Sequence, residues 1–477
     1  MRRIAVVTET FPPEVNGVAM SIARVVDGLQ GRGHAVQLVR PRQIDHDAAL
    51  HHLPYEQILT RSWPIPGYSS LRMGAPCMRA LLRLWSRQRP DVVHIATEGP
   101  LGWSALRAAL ALNLPLSSDF RTNFHAYGEH YRLGWLARPI MGYLRHFHNR
   151  TQCTMVPTEA MRAQLASCGF ERLSVVSRGV DTRLFHPARR SAALRQGWGV
   201  DDDTLVLVSV GRLAPEKNLD VVLQAYEALL QTAGKVKLVF VGDGPMRAEL
   251  QARCPAAEFA GQRRGEDLAT HYASADAFVF PSLTETFGNV TLEAMASGLP
   301  VIAFDRAAAG QFIRSGHNGR LAAGPDANGF VRATLSLAAD PTHRLAMARA
   351  ARDTVGALDW DAVVAGFEGV LERAIGNVHS RSDLPDCRGG GAATGPLVWA
   401  SSDAAEARDA PHGAPQTPHA WAITLLRLLS MMSMNSITSR CGTPSWYSVL
   451  RISCAVTSNS KSVKPRSLCD SNMSRPG

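Results

Sequence analysis

The chain has 477 residues, 45% of them hydrophobic and 19% charged, which is room for two or three soluble globular domains with sizeable cores. A formal charge of +10 favours anionic partners, but no basic stripe interleaved with aromatics points to nucleic acid. Eight cysteines without a CxxC pair indicate neither a zinc site nor a disulfide framework, and reduced thiols in a cytoplasm fit best.

The first apolar run, residues 4–7, is too short for the hydrophobic region of a signal segment, which needs roughly 7–15 residues. It reads as a buried strand, followed by a helix over 18–29 and a strand at 35–39. Strand 92–95 then precedes a helix over 103–112, strand 154–156 precedes a helix over 159–167, and a strand at 174–176 follows. The pattern restarts with strand 205–210, helix 219–230, strand 237–241, helix 246–253, strand 277–280, a helix from Thr291 and strand 301–304. Such alternation builds doubly wound parallel sheets, so the fold class is α/β with two Rossmann-like units. Their boundaries fall at 1–183 and 184–355, with Pro187, Arg189, Arg190 and Ser191 suiting a hinge at the join. Asp359 and Asp361 cap a helix, so that residues 356–376 cross back to the first unit. From 377 to 477 the chain is rich in Ala, Ser, Pro and Met without regular periodicity and reads as a disordered or appended tail. The apolar stretch 421–434 inside it is shorter than the roughly 20 residues a bilayer span requires.

Residues 78–89 form a basic amphipathic pattern, with Arg79, Arg83 and Arg87 on one helical face and Trp85 elsewhere. An ordinary sheet-covering helix with a solvated basic face is the plainer reading; a helix resting on an anionic bilayer is the other.

The most informative stretch is ETFGNVTLE, residues 285–293, between strand 277–280 and its helix. Glu285 lies in the loop at the strand's carboxyl end and Glu293 lies inside the helix. Between them Phe287, Gly288, Asn289 and Val290 offer backbone amides at a helix N-terminus, where free donors and the dipole favour an anion. Two carboxylates flanking an anion cradle suit a sugar joined to a nucleoside diphosphate, whose diols supply hydroxyl donors. The bland alternative is a pair of solvated glutamates at a helix start. GRLAPEKN, residues 211–218, follows the first strand of the second unit, where ligands of doubly wound sheets bind. It would point Arg212 and Lys217 into the same crevice, a pair suited to neutralising a diphosphate.

Other clusters carry less. Asp201 to Asp203 read as a solvated turn, and His51 with His52, His125 with His130, and His146 with His148 lack metal spacing, so no metal site is expected. A nicotinamide-binding GxGxxG is missing after the first strand, where TETFPPEVNG stands instead.

Residues 1 to about 375 resemble the family 4 glycosyltransferases, retaining enzymes of the GT-B architecture. The resemblance rests on NGV at 16–18, RGVD at 178–181 with Phe185, Gly211-Arg212 with Lys217-Asn218, VGDGP at 241–245, and the Glu285 to Glu293 stretch. It runs nearest the branch of GDP-mannose-dependent alpha-mannosyltransferases and sulfoquinovosyl-lipid synthases. The resemblance implies two Rossmann-like domains facing a central cleft and transfer of a hexose, mannose or glucose-type, with retention. It implies a nucleotide-sugar donor (GDP-mannose or a UDP-hexose), a lipid or glycan acceptor, and no metal or other cofactor. By position, Glu293 would hold the ribose, Glu285 the donor sugar, and Arg212 and Lys217 the diphosphate. Gly17 would allow a close approach of the first domain's loop, and Gly242 would border the base. Many relatives carry a His in a Tyr-His-Thr segment of the first domain; here DFRTNFH, residues 119–125, places Arg121 at that His, leaving His125 as the nearest substitute. That departure motivates the competing reading, a non-catalytic sugar-nucleotide-binding protein with a degenerate site. Lipid acceptors in the family favour a cytoplasmic protein seated on the inner membrane surface.

Overall fold

The computed structural model describes residues 1–382 apart from 15, 44–46, 48–52, 66–67, 122–133 and 233. His51, His52, His125, His130 and the tail from residue 383 therefore lie outside the described residues.

The first domain is a parallel seven-stranded sheet. Its strands are β1 (Arg3–Val7), β2 (Ala35–Pro41), β3 (Glu56–Thr60), β6 (Val92–Ile95), β7 (Leu116–Asp119), β8 (Cys153–Val156) and β9 (Leu173–Val175), in the order β3-β2-β1-β6-β7-β8-β9. An antiparallel pair, β4 (Ser62–Ile65) and β5 (Tyr68–Gly74), stands apart from it. Helices α1 (Gly17–Gly31), α2 (Met78–Arg87), α3 (Pro100–Ala111), α4 (Gly134–His148) and α5 (Glu159–Ser167) connect these strands.

The second domain is a parallel six-stranded sheet of β10 (Leu205–Val210), β11 (Val236–Val241), β12 (Glu258–Gly261), β13 (Ala277–Phe280), β14 (Val301–Phe304) and β15 (Gly319–Ala322). Its order is β12-β11-β10-β13-β14-β15. Its helices are α6 (Ala192–Gly197), α7 (Leu219–Thr232), α8 (Arg247–Arg253), α9 (Gly265–Ala273), α10 (Asn289–Ala296), α11 (Ala307–Phe312), α12 (Ala327–Ala338) and α13 (Pro341–Val355). The last described helix, α14 (Trp360–Ser382), runs past residue 376, where the crossing segment was expected to end.

Both sheets are buried on both faces, which is why their strands are continuously apolar rather than alternating. In β1, Ile4 and Val6 point toward α1 and α14, while Ala5 and Val7 point toward α2 and α3. In β10, Val206, Val208 and Val210 face one core and Leu205 and Leu207 the other. Helix α14 completes the first domain's core with Val364, Phe367 and Leu371. Two ion pairs, Arg2 with Glu372 at 2.9 Å and Arg32 with Glu368 at 2.6 Å, and a hydrogen bond between His34 Nε2 and Glu368 Oε1 at 2.9 Å fasten it there.

Helix α2 packs on the first sheet. Trp85 is fully buried and its Nε1 donates to Gln37 Oε1 at 3.0 Å, so the indole belongs to the core. Arg79, Arg83 and Arg87 form the exposed face. Among the described residues no helix is long and apolar enough to cross a membrane.

Strand order fixes where a ligand can sit. In the second sheet the order reverses between β10 and β13, and in the first between β1 and β6. At such a reversal the loops leave in opposite directions and open a crevice beyond the strands' carboxyl ends. The loops after β10 and β13 are the two that carry GRLAPEKN and ETFGNVTLE.

Candidate active site

Lys217 is the charged centre of this crevice. It closes a 3₁₀ turn, Pro215–Lys217, after β10, and its ammonium pairs with Glu285 Oε1 from the loop after β13. Ser282 Oγ donates to the same carboxylate oxygen at 2.9 Å, and Nζ lies 5.6 Å from the Phe280 ring centroid. The two motifs are therefore joined by a charge-assisted bond across the switch point. Arg212 stands further out. It is well exposed and, among the described residues, lies 3.5 Å from Glu216. Its guanidinium is thus free to reorganise around an incoming anion at little cost.

The loop after β13 is anchored from below. Phe287 is buried, packs edge-on against Phe312 with ring centroids 6.2 Å apart, and accepts from Ala308 N at 2.8 Å. Gly288 then takes φ +86°, a left-handed conformation that only glycine adopts cheaply, and α10 begins at Asn289. Val290 packs partly into the core, so the first turn presents its amides to the crevice while its side chains hold the helix down.

Glu293 lies one turn into α10. Its Oε2 accepts from Tyr272 OH at 3.0 Å, and Tyr272 is fully buried against Phe185 and Phe278. Burial pushes the Glu293 carboxyl up to about 7, outweighing the opposing hydrogen bond from Tyr272. The group is therefore balanced between neutral and ionised near physiological pH, and a ligand with hydroxyl donors would favour the ionised form.

Gly242 has a structural explanation. With φ +143°, a Cβ there would lie 1.9 Å from Gly211 O, so the loops after β10 and β11 can touch only through glycine. Leu213 N donates to Asp243 O and Met246 N to Leu213 O, both at 3.0 Å, clasping the Arg212 loop from behind.

The first domain meets this loop from across the crevice. Asn16 caps α1, its Oδ1 accepting from Ala19 N at 2.8 Å, and Gly17 begins the helix. A Cβ at Gly17 would lie 3.9 Å from Asn289 Nδ2, so a larger side chain there would fill the space in front of α10. Arg121, which stands at the position of the relatives' motif histidine, is turned inward. Its guanidinium donates to Ser21 Oγ and Asp119 Oδ2, each at 2.5 Å, and Arg178 approaches the same carboxylate at 3.4 Å. Burial opposes ionisation of Asp119, but the pull of Arg121 and Arg178 outweighs it and holds the carboxyl well below its usual range. Only the Arg121 carbonyl faces the second domain, accepting from Thr286 Oγ1 at 3.4 Å.

Sequence reasoning missed Glu9, immediately after β1. It accepts from Gly74 N at 2.5 Å and Leu101 N at 2.9 Å, pinning β5 to the start of α3, and burial pushes it up to about 7. Its polarity directly after a buried strand was the available signal. Tyr272, the partner of Glu293, carried no signal because its role comes from packing between α9 and α10. Asp201 is an exposed turn residue bonded to Lys235 and Thr204, before β10 and so at the opposite end of the sheet. A recess of about 440 Å³ lined by Gly142, Arg145, His146, Asn149 and Arg150 also lies at the far end of its sheet, where α4 leads into β8.

Comparison with known proteins converges on one family. The model for "Glycosyltransferase Family 4" matches residues 15–184, and that for "Glycosyl transferases group 1" matches 204–340. A GDP-mannose-dependent alpha-mannosyltransferase of Mycolicibacterium smegmatis is 36% identical over 388 residues, covering 78% of this chain and 98% of the relative. An alpha-monoglucosyldiacylglycerol synthase of Streptococcus pneumoniae is 30% identical over 314 residues, covering 63% and 70%. Among solved structures, the sucrose-phosphate synthase of Thermosynechococcus elongatus superposes with a TM-score of 0.66 at 19% identity, covering 79% of this chain and 100% of that one. The two-domain arrangement is the GT-B fold.

Proposed function

The chain belongs to glycosyltransferase family 4, and from that premise we propose that it moves a hexose, with retention, from a nucleoside-diphosphate sugar to a lipid or glycan acceptor. GDP-mannose is the first donor to test, since the 36%-identical relative is named for it. The diacylglycerol in the other relative's name makes a lipid the first acceptor to test.

The observation that carries this reading is the Lys217–Glu285 pair beside the first turn of α10. On donor binding the pair exchanges partners: Lys217 turns to the diphosphate and Glu285 accepts from the sugar hydroxyls. Neither charge is left unpaired at any stage, which keeps the desolvation cost low. Arg212 closes over the diphosphate from the exposed side, and the amides from Phe287 to Val290 face its oxygens. Glu293 accepts from the ribose diol, and Gly17 leaves room for the diphosphate in front of Asn289. The bond from the anomeric carbon to the diphosphate breaks, and the acceptor oxygen bonds to that carbon on the same face. The acceptor's proton passes to a departing phosphate oxygen. The protein supplies position and positive charge rather than a general base, and no metal is assigned a role. Arg79, Arg83 and Arg87 supply a basic face on which the enzyme would rest at an anionic membrane surface.

Nucleotide release from GDP-mannose and from UDP-glucose, with lipid-extract vesicles as acceptor, tests the proposal using the full chain and Glu293→Ala as control. Release of one nucleotide that the control abolishes, unaffected by EDTA, supports it. Tight nucleotide binding without release would instead identify a degenerate binder.

A further inference from the structure

The loop that carries Glu285 touches the first domain through Thr286. Its Oγ1 lies 3.4 Å from the carbonyl oxygen of Arg121. That is longer than the 2.7–2.8 Å usual for a hydroxyl donor, so the contact is made but has room to tighten by about half an ångström. Each partner is firmly held. On one side, Thr286 sits between Glu285, paired with Lys217, and Phe287, buried in the second core. On the other, Arg121 is fixed by Ser21 of α1 and by Asp119 at the end of β7.

The same Asp119 carboxylate accepts Arg178 at 3.4 Å to each oxygen. Arg178 follows β9, in the segment that leads out of the first sheet toward the second domain. Two residues on, Val180 N bonds Leu358 O, and further along Arg352 donates to Thr182 O and Phe185 O at 3.0 and 2.8 Å. One buried carboxylate thus joins the linker between the domains to the residue the donor loop touches. A shift of the linker at Arg178 would reach the Arg121 carbonyl through that carboxylate.

We infer that Arg121 is a positioning residue: its carbonyl is the stop against which the Glu285 loop closes, latched by Thr286, and the Asp119–Arg121–Arg178 cluster couples that closure to the linker. The inference rests on the reading of the Glu285 loop as the donor site. It also accounts for an arginine at this position. A histidine has neither the reach nor the forked donors to bridge Ser21 and Asp119 at once.

The test compares Thr286→Val, Thr286→Ser and Arg121→Lys in the full chain, using GDP-mannose and UDP-glucose turnover together with amide hydrogen exchange across residues 283–288. Removing the hydroxyl should lower kcat about three- to tenfold and speed exchange by a similar factor, the scale of one hydrogen bond. Affinity for GDP or UDP alone should stay within about twofold, because the second domain keeps its contacts. Thr286→Ser should recover both readouts, and Arg121→Lys with Thr286→Val should be no worse than the stronger single change. Unchanged exchange in Thr286→Val overturns the latch, and a turnover loss without an exchange change assigns Thr286 to direct donor contact instead. If the unaltered protein turns over neither donor, the donor-site reading fails by itself. Exchange in the unliganded variants then still decides the latch.

Discussion

The two domains meet the crevice in different ways. The second domain brings its charges on contiguous stretches, 211–218 and 285–293, each leaving a strand that borders the switch point. The first domain brings contacts assembled from afar: Asp119 with Arg178, Arg121 with Ser21, Glu9 with Gly74 and Leu101. A site on one loop depends on that loop's conformation, so its substitutions should cost turnover and spare the fold. A site built from distant segments is part of the packing, so its substitutions should cost stability.

Asp119→Ala would test the contrast most severely. It leaves Arg121 and Arg178 buried without their shared carboxylate and should cost about 3–5 kcal/mol, read from denaturant unfolding. A loss below about 1 kcal/mol would mean that water or another acceptor replaces the carboxylate.

Lys217→Ala and Glu285→Ala should do the reverse. Turnover should fall about 10²- to 10³-fold, as for loss of one preorganised charged contact, while the loss of stability stays well below that of Asp119→Ala because the partner left behind keeps about a fifth of its side chain in water. If Glu285→Ala instead destabilises the fold as much as Asp119→Ala does, the contrast collapses.

Glu293 sharpens the comparison through pH. Its carboxyl is raised to about 7 by burial, and a ribose diol needs the ionised form to accept its hydroxyls. From pH 6 to pH 8 the ionised fraction rises, so nucleotide affinity should strengthen, by about tenfold for one proton released on binding. Tyr272→Phe removes the hydrogen bond that holds this carboxyl down and should move the profile to higher pH. Titration calorimetry in buffers of different ionisation enthalpy would count the proton; a flat profile would place Glu293 away from the nucleotide.

The smallest effect should come from the clasp on α14. Glu368→Ala removes the partly exposed pairs to Arg32 and His34 and should cost no more than about 1 kcal/mol, measurable in urea and weaker in high salt. Val364 and Phe367, buried beneath, carry most of that contact.

The alternation of apolar strands with helices was legible because burying both faces of a parallel strand demands an uninterrupted apolar run. β10, β11 and β13 accordingly lie where the pattern put them. Strand β3 and the β4–β5 pair were not legible, because Glu56–Thr60 and Ser62–Ile65 are short and mixed in polarity. The site followed the same division. Glu285, Glu293, Arg212 and Lys217 stand out because their neighbours specify a local turn and helix start. Tyr272 does not, since the Glu293 carboxylate it bonds lies 21 residues further along the chain.

Arg121 marks the limit of such reading. The sequence by itself determined that two glutamates bracket a helix start, that two basic residues follow the first strand of the second domain, and that both sheets are parallel. Those features depend on local conformation and on the periodicity of burial. Only the tertiary structure decided that the Arg121 guanidinium turns inward to Asp119 while its carbonyl turns outward to Thr286, and that Lys217 waits on Glu285. A charged side chain goes where its counter-charge lies, and that place is set only by the packing of segments distant in the chain.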